Sequence, residues 1–251
     1  MGARPLTSTG VVFRPQSPPE DLRAVVEAVD GSGVDELWLW EDCFLEGGLT
    51  TAAAALAWSS RVRVGVGLLP VPLRNPALAA MEIATLARLF PDRLTVALGH
   101  GVQDWMGQVG ARADSPMTLL REHTEAVRDL LRGETVSVSG SYVRLDEVAL
   151  DWPPPTRPRL LLGARGPRTV ALAGEVSDGV LLDSVTDPDV VRGARAAVGP
   201  KSHVAAYTEV APDAADVRGW IDELGAAGAD TVVLQAPGDA PDPRPLLGLF
   251  G

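Results

Sequence analysis

Four short segments of this 251-residue chain combine residue types that could do chemistry. Trp40-Glu41-Asp42-Cys43-Phe44 sets two carboxylates beside the sole thiol and two aromatics, a group able to hold a carboxylate over a planar ligand. The same residues also read as an acidic turn capping the next helix. Gly99-His100-Gly101 brackets a histidine with glycines; an imidazole is the commonest acid–base group near neutral pH, and a buried structural histidine reads equally well. Gly163-Ala164-Arg165-Gly166-Pro167-Arg168 puts a proline at a helix start, where free backbone N–H groups, the helix dipole and two arginines would receive a phosphate. Exposed arginines at a plain Gly-Pro helix start are the alternative. Gly67-Leu68-Leu69-Pro70 predicts a bulge or close ligand approach, or else a simple strand-to-loop transition.

Each segment follows an apolar run of strand length. Strands are expected at 10–13, 36–40, 61–69, 93–99, 159–164, 178–183, 203–210 and 231–235. Between them lie helical patterns ending near Asp30, then over 49–58, 77–89, 116–132, 167–174, 188–198 and 214–227, with a short closing helix after 241. This alternation predicts an α/β fold, a (β/α)₈ TIM barrel occupying 1–251 as a single domain, with chemistry at the C-terminal ends of the strands. That rule gathers Trp40, Asp42, Cys43, Gly67, Leu68, Gly99, His100, Gly101, Gly163, Arg165, Gly166 and Arg168 on one rim. Gln103, Asp104 and Trp105, in a loop over 100–115, could line the same mouth. His123 falls in a helix and reads as structural, while His203 opens a strand at the opposite end. TVSVSGSYVRL (135–145) alternates with period two around Ser-Gly-Ser, an external hairpin after the fourth helix.

Composition excludes several classes. A net charge of −11 offers nucleic acid or an anionic membrane no general attraction. One cysteine allows no intramolecular disulfide and no Cys-rich zinc site, and three dispersed histidines imply no metal. MGARPLTSTG has no apolar signal-peptide run, and no segment has eighteen uninterrupted apolar residues, so the expectation is a cytoplasmic protein. Lys201 is the sole lysine, which leaves Schiff-base chemistry one residue near the C-terminus. GxGxxG after the first strand, GxxxxGK[ST] and HExxH are all absent.

With these residues in place, the chain resembles the bacterial luciferase-like monooxygenase superfamily over about residues 10–200. The resemblance is carried by GVDELWLWEDCF (33–44), RVRVGVGLLPVPLRNPALAAMEIATLARLFPDRLTVALGHG (61–101), REHTEAVRDLLRGE (121–134) and LLLGARGPRTVALAGEVSDGVLL (160–182). It implies a (β/α)₈ barrel using the deazaflavin coenzyme F-420 (F420) or FMN, a small-molecule substrate and a homodimer. With F420 the reaction would be hydride transfer to or from an organic compound; with FMN, oxygen activation and monooxygenation. F420 is placed first because arginine almost everywhere replaces lysine, a mark of GC-rich coding sequence. Asp42 and Cys43 stand where many relatives have Asp-His facing the ring, so Cys43 replaces a histidine. On this resemblance His100 becomes the general acid or base, Asp42 orients a ring or substrate group, and Cys43 shapes the pocket as a neutral thiol. Gly67-Leu68 falls where F420-using relatives carry a nonprolyl cis bulge, and Gly163, Arg165, Gly166 and Arg168 match the phosphate region. Trp40, Gly99 and Gly101 complete the cofactor site. A barrel that binds the cofactor without turnover is the rival, favoured by Cys43 and the short C-terminal half.

Overall fold

In a closed barrel every second strand residue faces the lumen and its neighbours face the surrounding helices, so both must be apolar. The computed structural model describes residues 7–250. Strands β1 (Ser8–Phe13), β2 (Glu36–Leu39), β3 (Arg63–Pro70), β4 (Leu94–Gly99), β7 (Arg159–Ala164), β8 (Gly179–Leu182), β9 (His203–Glu209) and β10 (Thr231–Gln235) close in that order into a parallel barrel. Helices α1 (Leu22–Asp30), α2 (Gly48–Trp58), α3 (Pro76–Leu89), α5 (Pro116–Leu131), α6 (Pro167–Val176), α7 (Pro188–Val198) and α8 (Val217–Ala227) surround it. β5 (Val136–Ser139) and β6 (Arg144–Val148) form the expected antiparallel hairpin.

The loop expected over 100–115 contains a further short helix, α4 (Gln103–Gln108), so the hairpin follows the fifth helix. Six residues with one buried anchor, Met106, are too few to show a helical period. Helix α8 begins three residues later than expected, where the Asp216 side chain accepts the Gly219 N–H. The closing segment is a 3₁₀ helix, Arg244–Phe250. The first six residues, on which the expectation about a signal peptide partly rests, lie outside the described residues. No helix among the described residues is long and apolar enough to cross a membrane.

The lumen holds Val12, Trp38, Ala97, Leu161, Leu181, Ala205, Tyr207 and Val233, while Val11, Leu37, Leu39 and Leu234 face the helices. Trp38 is fully buried, and a Cβ on Gly65 of β3 would overlap its indole.

Beyond β2, a buried ion pair joins the rim loops. Glu41 takes both terminal nitrogens of Arg74, accepts the Gly48 N–H at 2.7 Å, and so ties the start of α2 to the loop after β3. Arg74 also reaches Glu82 of α3 at 3.2 Å. This settles Glu41 as a helix-capping strut, one of the two readings open for the acidic pair. Removing one partner of a buried pair strands the other charge, which costs about 3–5 kcal/mol. Arg74→Met is therefore expected to lower unfolding free energy in urea by about that amount. A loss below about 1 kcal/mol, the value of an exposed pair, would contradict the strut.

Candidate active site at the C-terminal mouth of the barrel

Period two predicts what faces the mouth. Val12, Trp38, Leu181, Tyr207 and Val233 point into the lumen, so Arg14, Trp40, Asp183, Glu209 and Gln235, two residues on, line its C-terminal end. On β3 the alternation breaks: the register against β4 shifts between Gly67 and Leu69, and the Gly67–Leu68 peptide is cis, as the resemblance implies. The bulge sends Leu68 across the barrel. A Cβ on Gly99 would lie 2.5 Å from Leu68 Cδ2, and one on Gly163 would also collide with that atom. These glycines, expected to approach a cofactor directly, are the seat of Leu68. From beneath, the Tyr207 hydroxyl donates to Gly67 O at 3.3 Å. Tyr207 meets Trp38 edge-on at 5.6 Å and Trp40 at a 38° tilt and 5.9 Å. Burial holds the Tyr207 phenol well above its ordinary range, so it stays a neutral donor. Leu68, Trp40 and Tyr207 thus make an apolar floor.

Asp42 and Cys43 are half-buried at one side of this floor. Burial raises the Asp42 carboxyl; Arg14 opposes the shift and Asp183 reinforces it. Burial, then Glu41 and Asp42, raises the Cys43 thiol, in keeping with the neutral thiol expected. The Cys43–Phe44 peptide is also cis, which nothing in the sequence foretold. Arg14 is the residue sequence reasoning missed. Its Nη1 donates to Ala236 O at 2.6 Å and pairs with Glu209 at 3.2 Å, and its guanidinium lies 5.1 Å over the Trp40 ring. Its place two residues beyond Val12 was the available signal. Two buried donors here have no hydrogen-bond partner among the described residues, Trp40 Nε1 and Gln235 Nε2. The Trp40 N–H leans toward the Tyr207 hydroxyl without completing a hydrogen bond.

His100 sits at the α5 and α6 side instead. Its Nδ1 lies 3.2 Å from Pro116 O, which can only accept, and its Nε2 lies 3.4 Å from the Thr169 hydroxyl. Burial lowers the imidazole pKa, with the Pro116 carbonyl opposing, so the ring is neutral. No hydrogen bond or ion pair among the described residues joins it to Asp42 or Cys43. Nearby, Gly166 caps α6 and Pro167 opens it; Gly101 takes φ 68°. Arg165 pairs with Asp183 through Nε at 2.5 Å, whereas Arg168 is exposed with no ion pair among the described residues. A cavity of about 670 Å³ beside this turn is lined by Ala164, Arg165, Gly166, Pro167, Asp183 and Ser184. His203 opens β9 at the far end of the barrel, as expected, beside a cavity of about 1020 Å³. His123 is buried in α5, where burial and Arg74 hold it near pKa 4. An apolar floor, a helix N-terminus with an uncommitted arginine, and two unpaired buried donors suit a flat ring carrying a phosphate tail.

The chain is 27% identical over 253 residues to a 5,10-methylenetetrahydromethanopterin reductase of Methanolobus tindarius, covering 95% of this chain and 77% of that protein. It is 26% identical to an F420-dependent glucose-6-phosphate dehydrogenase of Nakamurella multipartita over 68% of this chain and 54% of the relative. The chain thus spans little more than half of that relative, and between 51% and 65% of three others. In fold it is similar to an F420-dependent secondary alcohol dehydrogenase in complex with an F420-acetone adduct, with TM-score 0.83, 19% identity, and 95% and 96% of the two chains covered. The luciferase-like monooxygenase model matches residues 3–231, and the chain belongs to that family.

Proposed function

We propose that this protein is a coenzyme F420-dependent oxidoreductase exchanging hydride with a small organic substrate at the barrel mouth. The observation that carries the reading is the Leu68 floor, seated on Gly99 and Gly163, beside the N-terminus of α6. The F420-dependent dehydrogenase among its sequence relatives supports F420 over FMN. FMN with monooxygenation is the second reading, favoured by the family description. A single domain over 1–251, a cytoplasmic location and a homodimer complete the proposal; exposed Leu78, Met81 and Leu89 on α3 offer the dimer an apolar surface.

The bulge at Gly67 and Leu68, with Trp40, backs the ring, and Gly101 and Gly166 let the chain pass close to it. Arg168 and the first-turn amides of α6 bind the phosphate; Arg165 joins them only by releasing Asp183. When bound, the deazaflavin supplies or accepts the hydride at C5. Both His100 nitrogens are engaged, which moves the acid–base role that the sequence suggested for His100 onto Asp42. His100 acts as a positioning residue that braces α6 through Thr169. Asp42 hands a proton to the substrate oxygen, and Cys43 fills the wall beside it.

Three outcomes follow. Co-purified or added cofactor should be F420 by mass spectrometry, and reduced F420 should be reoxidised by candidate carbonyl substrates; recovery of FMN alone would favour the second reading. In the direction of carbonyl reduction only protonated Asp42 donates, so kcat should fall as pH rises through its raised pKa. Asp42→Asn should lower kcat by about 10²- to 10⁴-fold and flatten that profile. The same variant should unfold in urea no more easily than wild type at neutral pH, because it removes a charge that burial disfavours. Arg168→Ala should weaken F420 binding roughly 10- to 100-fold in a fluorescence titration, and Arg165→Ala less. Equal, small effects from both would remove the phosphate assignment.

A further inference from the structure

We infer that Trp40, Gln235 and Arg14 form a donor-only subsite that reads one uncharged acceptor oxygen of the substrate, a carbonyl, and rejects anionic substrates. The inference deepens the hydride-transfer reading and rests on it. β1 pairs with both β10 and β2, so the three side chains stand on adjacent strands. Gln235 is 4% exposed and its Nε2 is unpaired; Val233, two residues before it, faces the lumen, which turns the amide toward the mouth. Trp40 Nε1 is the second unpaired donor. Arg14 spans the gap, stacked over Trp40 at 5.1 Å and bonded to Ala236 O, the residue after Gln235, at 2.6 Å. Buried N–H groups without partners are costly to keep, and a ligand that accepts from them removes the cost.

Charge narrows the ligand. Arg14 is neutralised by Glu209, Arg165 is neutralised by Asp183, and Asp42 adds a further carboxyl. A carboxylate or phosphate entering this corner would meet acidic groups with no cation to spare. A ketone or aldehyde oxygen accepts two N–H bonds and adds no charge. A hydrocarbon of the same shape leaves both donors unpaired.

The test uses the full chain loaded with oxidised F420 and three probes of similar shape: cyclohexanone, methylenecyclohexane and cyclohexanecarboxylate, each titrated by calorimetry. Cyclohexanone should bind about three- to tenfold tighter than the alkene, and the carboxylate weakest. Gln235→Leu and Trp40→Phe should each reduce the ketone preference and leave F420 affinity within about twofold. Gln235→Met serves as the second variant if thermal melts show Gln235→Leu unfolded. Equal binding of ketone and alkene by wild type, or tightest binding of the carboxylate, would overturn the subsite. So would variants that weaken F420 while keeping the ketone preference, because the donors would then hold the cofactor. If wild type fails to bind F420 the hydride-transfer reading falls, and the same probes on the cofactor-free chain still decide the subsite.

Discussion

Trp38 fills the middle of the lumen because glycines on the neighbouring strands leave it room. Gly65 of β3 could not carry a Cβ without overlapping the indole, and a Cβ on Gly10 of β1 would stand 3.2 Å from it. Small barrels have space for few side chains per layer, so one indole this large demands small residues opposite. The same exchange recurs one layer higher, where Leu68 lies over Gly99 and Gly163. Two large side chains resting on glycines therefore turn the barrel into a solid plug with a floor. Every group of the mouth is arranged on that floor, and removing either interdigitation would leave a hole beneath it.

The polar groups at the two ends of the plug are treated differently. Below Trp38, its indole N–H donates to Glu36 at 2.8 Å, Arg63 reaches Glu36 at 2.9 Å, and His203 lies 3.1 Å from the Thr231 hydroxyl. Burial with the neighbouring Arg159 keeps His203 uncharged, near pKa 4. Above, Trp40 and Gln235 keep unpaired donors and Asp42 keeps a raised carboxyl. A folding core satisfies its polar groups, so unsatisfied donors and a perturbed acid confined to the C-terminal mouth mark where a ligand completes the structure.

Much of this was legible because the underlying signals are local. Apolar runs bounded by Gly, Pro and acids located all eight barrel strands within a few residues, and the Ser-Gly-Ser turn located the hairpin. Gly67-Leu68 and the helix start at Pro167 were visible as glycine and proline chemistry. What escaped depends on distant partners. Glu41 gave no sign of Arg74, Arg165 none of Asp183, and His100 none of Pro116 and Thr169, so the first looked chemical, the second free and the third catalytic. Gly99 and Gly163 were identified correctly as special, but their purpose was hidden because Leu68 reaches them across the barrel. Arg14 was overlooked because nothing next to it in the chain suggests chemistry.

The central claim is that Leu68, held over Gly99 and Gly163, is the surface on which the cofactor ring lies. It is tested most directly by fluorescence titration of oxidised F420 against wild type and against Gly163→Val, whose branched side chain must displace Leu68, with thermal melts to show that both are folded. Saturable binding by wild type that weakens at least tenfold in Gly163→Val is the predicted result. Equal affinity in the two folded proteins would contradict it.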